Sequence, residues 1–113
     1  MSRGPGKAQR YILDRVADTG GPPLTPVRML AISYAGEHGV PATAHLHASF
    51  RRAALGLIRS GQIKGWHLNC RTRMEPSTRS ARWLLCVAPI TMEAPTEAEK
   101  ESAEFLAMAT GGH

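Results

Sequence analysis

Aromatic side chains are scarce in this sequence. Two Trp, two Tyr and two Phe make up 5% of its 113 residues, so a core must rest on Leu, Ile, Val, Met and many Ala. No run approaches the roughly eighteen consecutive apolar residues that a membrane-spanning helix needs, and none is expected. The opening Met1-Ser2-Arg3-Gly4-Pro5-Gly6-Lys7 is basic but leads into the mixed stretch AQRYILDRVAD instead of an apolar signal core. Cysteine is limited to Cys70 and Cys86, too few for a disulfide framework. No nucleophile with a matching base stands out, and no paired carboxylates occur in the first ninety residues. Gly4-Pro5-Gly6-Lys7 lacks the preceding strand and the spacing of a phosphate loop. Catalysis and a cofactor are therefore not expected. The length fits one domain of ordinary size and excludes most multi-domain enzymes and barrels.

What the chain has is arginine. Eleven of its fourteen positive residues are Arg, against nine Asp and Glu, for a net charge of +5. The charge is unevenly placed. Residues 1–90 hold thirteen Lys or Arg and four Asp or Glu, which is +9, and residues 91–113 hold Lys100 against five Glu, which is −4. Planar guanidinium groups favour phosphate and base-edge recognition over mere solubility. An anionic partner is implied for the basic body.

Helical spacing of Ala8, Ile12, Leu13 and Val16 predicts a first helix over residues 7–19, stopped by Gly20-Gly21-Pro22-Pro23. Leu24 fits a short extended segment. Thr25-Pro26 reads as an N-cap followed by proline at the first helical position. The second helix is then expected to reach about Tyr34 or Ala35, with Val27, Leu30, Ala31 and Tyr34 on one side. The turn from Gly36 to Pro41 leads to a third helix capped by Thr43 and closed by Gly61. Leu46, Phe50, Ala53, Ala54, Leu57 and Ile58 collect on its core face. His45, Ala48, Ser49, Arg52, Leu55, Gly56 and Arg59 share the other face, with Arg51 at the edge. Small residues such as Ala48, Ser49 and Gly56 would let that face approach a surface closely.

After Gly61 the pattern changes. Residues 63–70 and 81–88 read as two strands flanking a polar loop that carries Arg71, Arg73, Arg79 and Arg82 at or near its tip. A turn centred near residue 75 or 76 makes opposed residue numbers sum to about 151 to 153. Cys86 then faces a residue near 66 and Cys70 one near 82, too far out of register for a disulfide. Trp66 and Trp83 lie near opposition and are expected to form a cross-strand pair. Pro89 and Pro95 bracket a linker, and Thr96-Glu97-Ala98-Glu99 is a capping box that starts a last helix. Its expected apolar stripe is Ala98, Ser102, Phe105 and Ala109 with Leu106 beside them. Three roles are open for this helix: packing on the domain through Phe105 and Leu106, dimerisation, or competition with an anionic partner for the basic surface.

The order helix, short extended segment, helix, tight turn, helix, hairpin resembles the winged helix-turn-helix family. Arg52-Ala53-Ala54, Leu57 and Gly61-Gln62-Ile63 look like that family's recognition helix and its exit into the wing. The stretch from Gly4 to Leu13 is similar to the first helix of small winged-helix proteins from high-GC bacteria and their phages. The resemblance covers residues 5–88. Ala54, where a larger aliphatic is usual, and the outward Leu55 depart from the pattern. The fold class implied is α+β, mainly helical, with three helices and a two-stranded wing in a DNA-binding domain over residues 1–90. A linker and acidic helix over residues 91–113 serve packing or oligomerisation.

The resemblance implies a small cytoplasmic, nucleoid-associated transcription regulator that binds double-stranded DNA. The third helix would enter the major groove and the wing would meet the backbone or minor groove. Thr43, His45, Ser49, Arg51 and Arg52 would then read bases or grip phosphates on the helix, and Arg28, Arg71, Arg73, Arg79 and Arg82 would hold the backbone. A homodimer is left open. So are two other readings, a winged-helix module that binds a host or replication protein and an oligomeric architectural DNA-binding protein. His45 and His47 are not expected to bind zinc, because helix positions two apart diverge.

Overall fold

The computed structural model describes residues 6–18, 22–69 and 83–110. Its elements run α1 (Lys7–Ala17), β1 (Thr25–Pro26), α2 (Val27–His38), α3 (Ala44–Arg59), β2 (Lys64–Asn69), β3 (Trp83–Ala88) and α4 (Glu97–Thr110). The fold is α+β and mainly helical, with four helices and a small antiparallel sheet in the order β1-β3-β2.

β3 organises the molecule. It is the central strand, and every residue from Leu84 to Ala88 is buried. Alternate residues on a strand face opposite sides, so β3 serves two cores. Leu85 and Val87 join Ile12 of α1, Val27, Leu30 and Ala31 of α2, and Phe50, Ala54 and Leu57 of α3. Leu84, Cys86 and Ala88 join Leu24, Leu68 and, from α4, Ala103 and Ala107. The sheet thus has the three-helix layer on one face, while α4 covers the other at its β1 edge, where it also meets α2. Fully buried side chains such as Ile12, Leu30, Phe50 and Leu57 each contribute about 1.5–3 kcal/mol by leaving water.

The hairpin register is the one the turn arithmetic gives, with every opposed pair from Lys64↔Ala88 to Asn69↔Trp83 summing to 152. Cys86 faces Trp66 as expected and is a buried free thiol; Cys70 lies outside the described residues. The cross-strand tryptophan pair is not formed, because Trp66 opposes Cys86 while Trp83 opposes Asn69.

Two helix starts contrast. Thr43 caps α3 as expected, its Oγ1 accepting the Leu46 N–H at 3.2 Å. Thr25 does not cap α2. Thr25 and Pro26 pair instead with Val87 and Cys86 as an edge strand, and Pro26, at ψ 135°, is the last extended residue before the helix. Strand pairing outcompetes the local cap signal, and an edge strand tolerates the missing proline N–H. α2 also outruns its expected end. Gly36 stays helical, and Gly39, at φ 64°, makes the left-handed exit as Val40 N–H bonds to Ala35 O at 2.9 Å.

The last helix begins with a reciprocal capping box. Glu99 Oε1 accepts the Thr96 N–H at 2.8 Å, and Thr96 Oγ1 accepts the Glu99 N–H at 3.1 Å. Its buried stripe is not the expected one. Ala103 and Ala107 pack, whereas Ala98 and Ser102 are exposed and Phe105 is 70% exposed. Leu106 is half-buried. Small residues bring the helix close to the sheet, and the larger Phe105 points away from it.

Candidate nucleic-acid interface

α3 is placed by its core face. Phe50, Ala54 and Leu57 are buried, and Leu46, Ala53 and Ile58 pack beside them. Ala54 is fully buried and belongs to the core shared by the three helices. Edge-on rings hold α1, α2 and α3 together: Tyr11 to Tyr34 at 5.3 Å between centroids, and Tyr11 to Phe50 at 6.0 Å.

The opposite face of α3 carries the expected cations. His45, Arg51, Arg52 and Arg59 are exposed, as is Ala48. Ser49 is half-buried, and so is Leu55, which packs against the three-helix core. Gly56 does not belong to a groove-facing surface. A Cβ there would lie 2.9 Å from Gln9 Nε2, and that amide reaches Ala53 O at 3.4 Å. The glycine leaves space for that amide against α3.

On the other flank α3 meets β2. Gly65 makes this approach close, since a Cβ on it would collide with Ile58 Cδ1. Beyond that contact Arg51 Nη2 lies 3.5 Å from His67 Nε2, linking the outward side of α3 to the exposed side of β2. His47 sits half-buried at the border of the core face. Burial holds its imidazole below the ordinary value, and the positive charge of Arg28 pushes the same way. Arg28 is half-buried on the first turn of α2, near enough for its charge to act on His47.

Thr43, at the head of α3, is exposed. Its oxygen accepts the Leu46 N–H, which leaves the hydroxyl proton available to an acceptor. Thr43, His45, Arg51 and Arg52 are exposed along α3, and Arg51 joins that helix to β2. Arg71, Arg73, Arg79 and Arg82 lie outside the described residues.

The sequence carries a further signal for this surface. Glu37 and Glu75 bracket 37 residues without a single Asp or Glu. That stretch contains all of α3 and β2, so no acid of either element faces the arginines. Among the described residues Arg52 and Arg59 make no ion pair, whereas Arg15, on α1, is bound to Glu37 at 3.0 Å. No group of three or more His, Cys, Asp or Glu that could hold a metal ion gathers among the described residues, and no described helix is long and apolar enough to cross a membrane.

Comparison with protein-family models, with curated proteins and with solved structures gives no match, so the site's chemistry rests on its own geometry.

Proposed function

We propose that this chain is a winged helix-turn-helix protein that binds double-stranded DNA, with α3 in the major groove and the β2–β3 hairpin against the backbone. The element order α1-β1-α2-α3-β2-β3 supports the fold reading. The observation that carries the function is the row of exposed arginines on α3, joined to β2 at Arg51 and His67, with no acid in either element.

The parts have separate roles. Arg52, exposed on α3, presents a guanidinium fork that suits the O6 and N7 of guanine. His45, two turns earlier on the same face, meets bases or phosphates. Thr43 and the free N–H groups of the first turn of α3 suit a phosphate oxygen. Arg28 and Arg51 flank the helix and fix its register on the backbone. The wing arginines extend the phosphate contacts. Transcription regulation is the role this mode of binding serves.

Fluorescence anisotropy of a labelled random-sequence duplex pool, titrated with the full chain, tests the reading. Saturable binding that weakens on Arg52→Ala supports it. A flat titration sinks it and leaves a protein-binding module as the alternative.

A further inference from the structure

Opposite charges sit on opposite sides of this molecule. α3 packs on the side of the sheet that carries Leu85 and Val87, and α4 on the side that carries Leu84 and Cys86. The acidic helix therefore packs on β1 and α2, on the far side of β3 from the core that holds α3.

The outward face of α4 has a specific composition. Ala103 and Ala107 turn inward, which leaves Glu97, Glu101 and Phe105 outward, four residues apart and so about 6 Å apart along one stripe. Glu97 holds Lys100 at 3.2 Å and remains 86% exposed. Phe105 is the most exposed large apolar residue among those described. The outward face of α3 is its complement. Arg52 and Arg59 are exposed two turns apart, and the half-buried Leu55 lies between them. Carboxylates would meet guanidinium groups, and the phenyl ring would meet the leucine.

We infer that the Glu97, Glu101 and Phe105 face of α4 docks on the Arg52, Leu55 and Arg59 face of α3 in a second copy of the chain, and that duplex DNA displaces it. The contact is head-to-tail, because each copy offers one surface of each kind. It uses one helix from each side and several exposed charges, so it is weak and salt-sensitive. DNA and α4 compete for the same arginines. The chain stores itself as self-associated species and releases a free α3 where duplex is present.

Sedimentation equilibrium of the full chain at about 50 mM salt is the test. The average mass is expected to rise above 12.2 kDa with concentration and to return to it in high salt. Glu101→Arg alone and Arg52→Glu alone each abolish the rise, and both lie at exposed positions, so the fold survives. Mixing these two variants restores association, because each then offers the charge the other lacks. A monomer at every concentration overturns the inference, as does a mixture that stays monomeric. Association that survives Glu101→Arg but is lost in Phe105→Ser also overturns it, since that points to an apolar contact between two α4 helices. Added duplex is expected to return the mass to that of a one-copy complex. If the swapped pair associates while wild type binds no duplex, the DNA reading fails and the head-to-tail contact stands.

Discussion

Arg51 of α3 and His67 of β2 lie 3.5 Å apart, guanidinium nitrogen to ring nitrogen. The arginine donates, so the contact needs a neutral ring with a free Nε2 lone pair. It is exposed and long, and contributes little to stability. Its importance is positional, because it makes one surface of a helix and a strand.

That surface divides its residues into two kinds. Arg52→Ala is expected to cost about 1–3 kcal/mol of duplex affinity on a selected sequence and to relax the preference for guanine at one position. Arg51→Ala is expected to weaken binding on all sequences alike. Anisotropy titrations on a selected and a scrambled duplex separate the two patterns.

Gly56 and Gly61 predict opposite signs for the same substitution. Gly56 is helical, and a Cβ there meets only the mobile end of Gln9. Gly56→Ala is expected to raise stability by about 0.5–1 kcal/mol through helix propensity. Gly61 holds φ +81° while its N–H bonds to Ile58 O at 3.1 Å. Gly61→Ala forces a side chain into the left-handed region and is expected to cost about 1–2 kcal/mol. Urea denaturation of both variants checks the signs.

The two faces of α4 are equally distinguishable. Ala103 is fully buried, so Ala103→Asp places an unpaired carboxylate between α4 and the sheet. A loss of about 3 kcal/mol or more is expected. Phe105→Ser, on the exposed face, is expected to stay within about 0.5 kcal/mol of wild type. Thr96→Ala removes half of the capping box and is expected to cost about 1 kcal/mol. Thermal unfolding orders the three.

His47 gives a pH dependence. Its folded pKa is depressed below 6.5, first by burial and then by Arg28. The unfolded chain therefore binds the proton more readily, and this contribution to stability is present above pH 6.5 and lost as pH falls through the folded value. His47→Gln is expected to flatten the stability profile below pH 6.5. Tyr11 acts at the other extreme. Burial and its hydrogen bond to Glu37 raise its hydroxyl to about 12, so its contribution holds below pH 10 and fades between 10 and 12. Unfolding midpoints measured across both ranges test each sign.

Much of this arrangement is legible in the sequence, where local rules decide it. The loop between the strands sets the register to 152, and Thr43, Gly61 and the Thr96 to Glu99 box mark their helix ends through backbone chemistry alone. The departures all involve distant partners. Thr25-Pro26 carries a sound cap signal, but β3 claims both residues as a strand. Gly56 reads as an outward small residue until α1 is seen to rest on it. In α4 Phe105 is the most apolar position by sequence, yet Ala103 and Ala107 are the residues buried against distant partners. The tryptophan pairing fails by three residues, more than the turn arithmetic tolerates.

The central claim is that the α3 and β2 surface grips phosphates, and salt dependence of duplex binding tests it most directly. Each phosphate neutralised contributes about −0.9 to the slope of log affinity against log salt. With Arg28, Arg51 and the wing arginines engaged, a slope of about −3 or steeper is expected, less steep by about one in Arg51→Ala. A slope near zero, or no duplex retained at about 50 mM salt, would contradict the account.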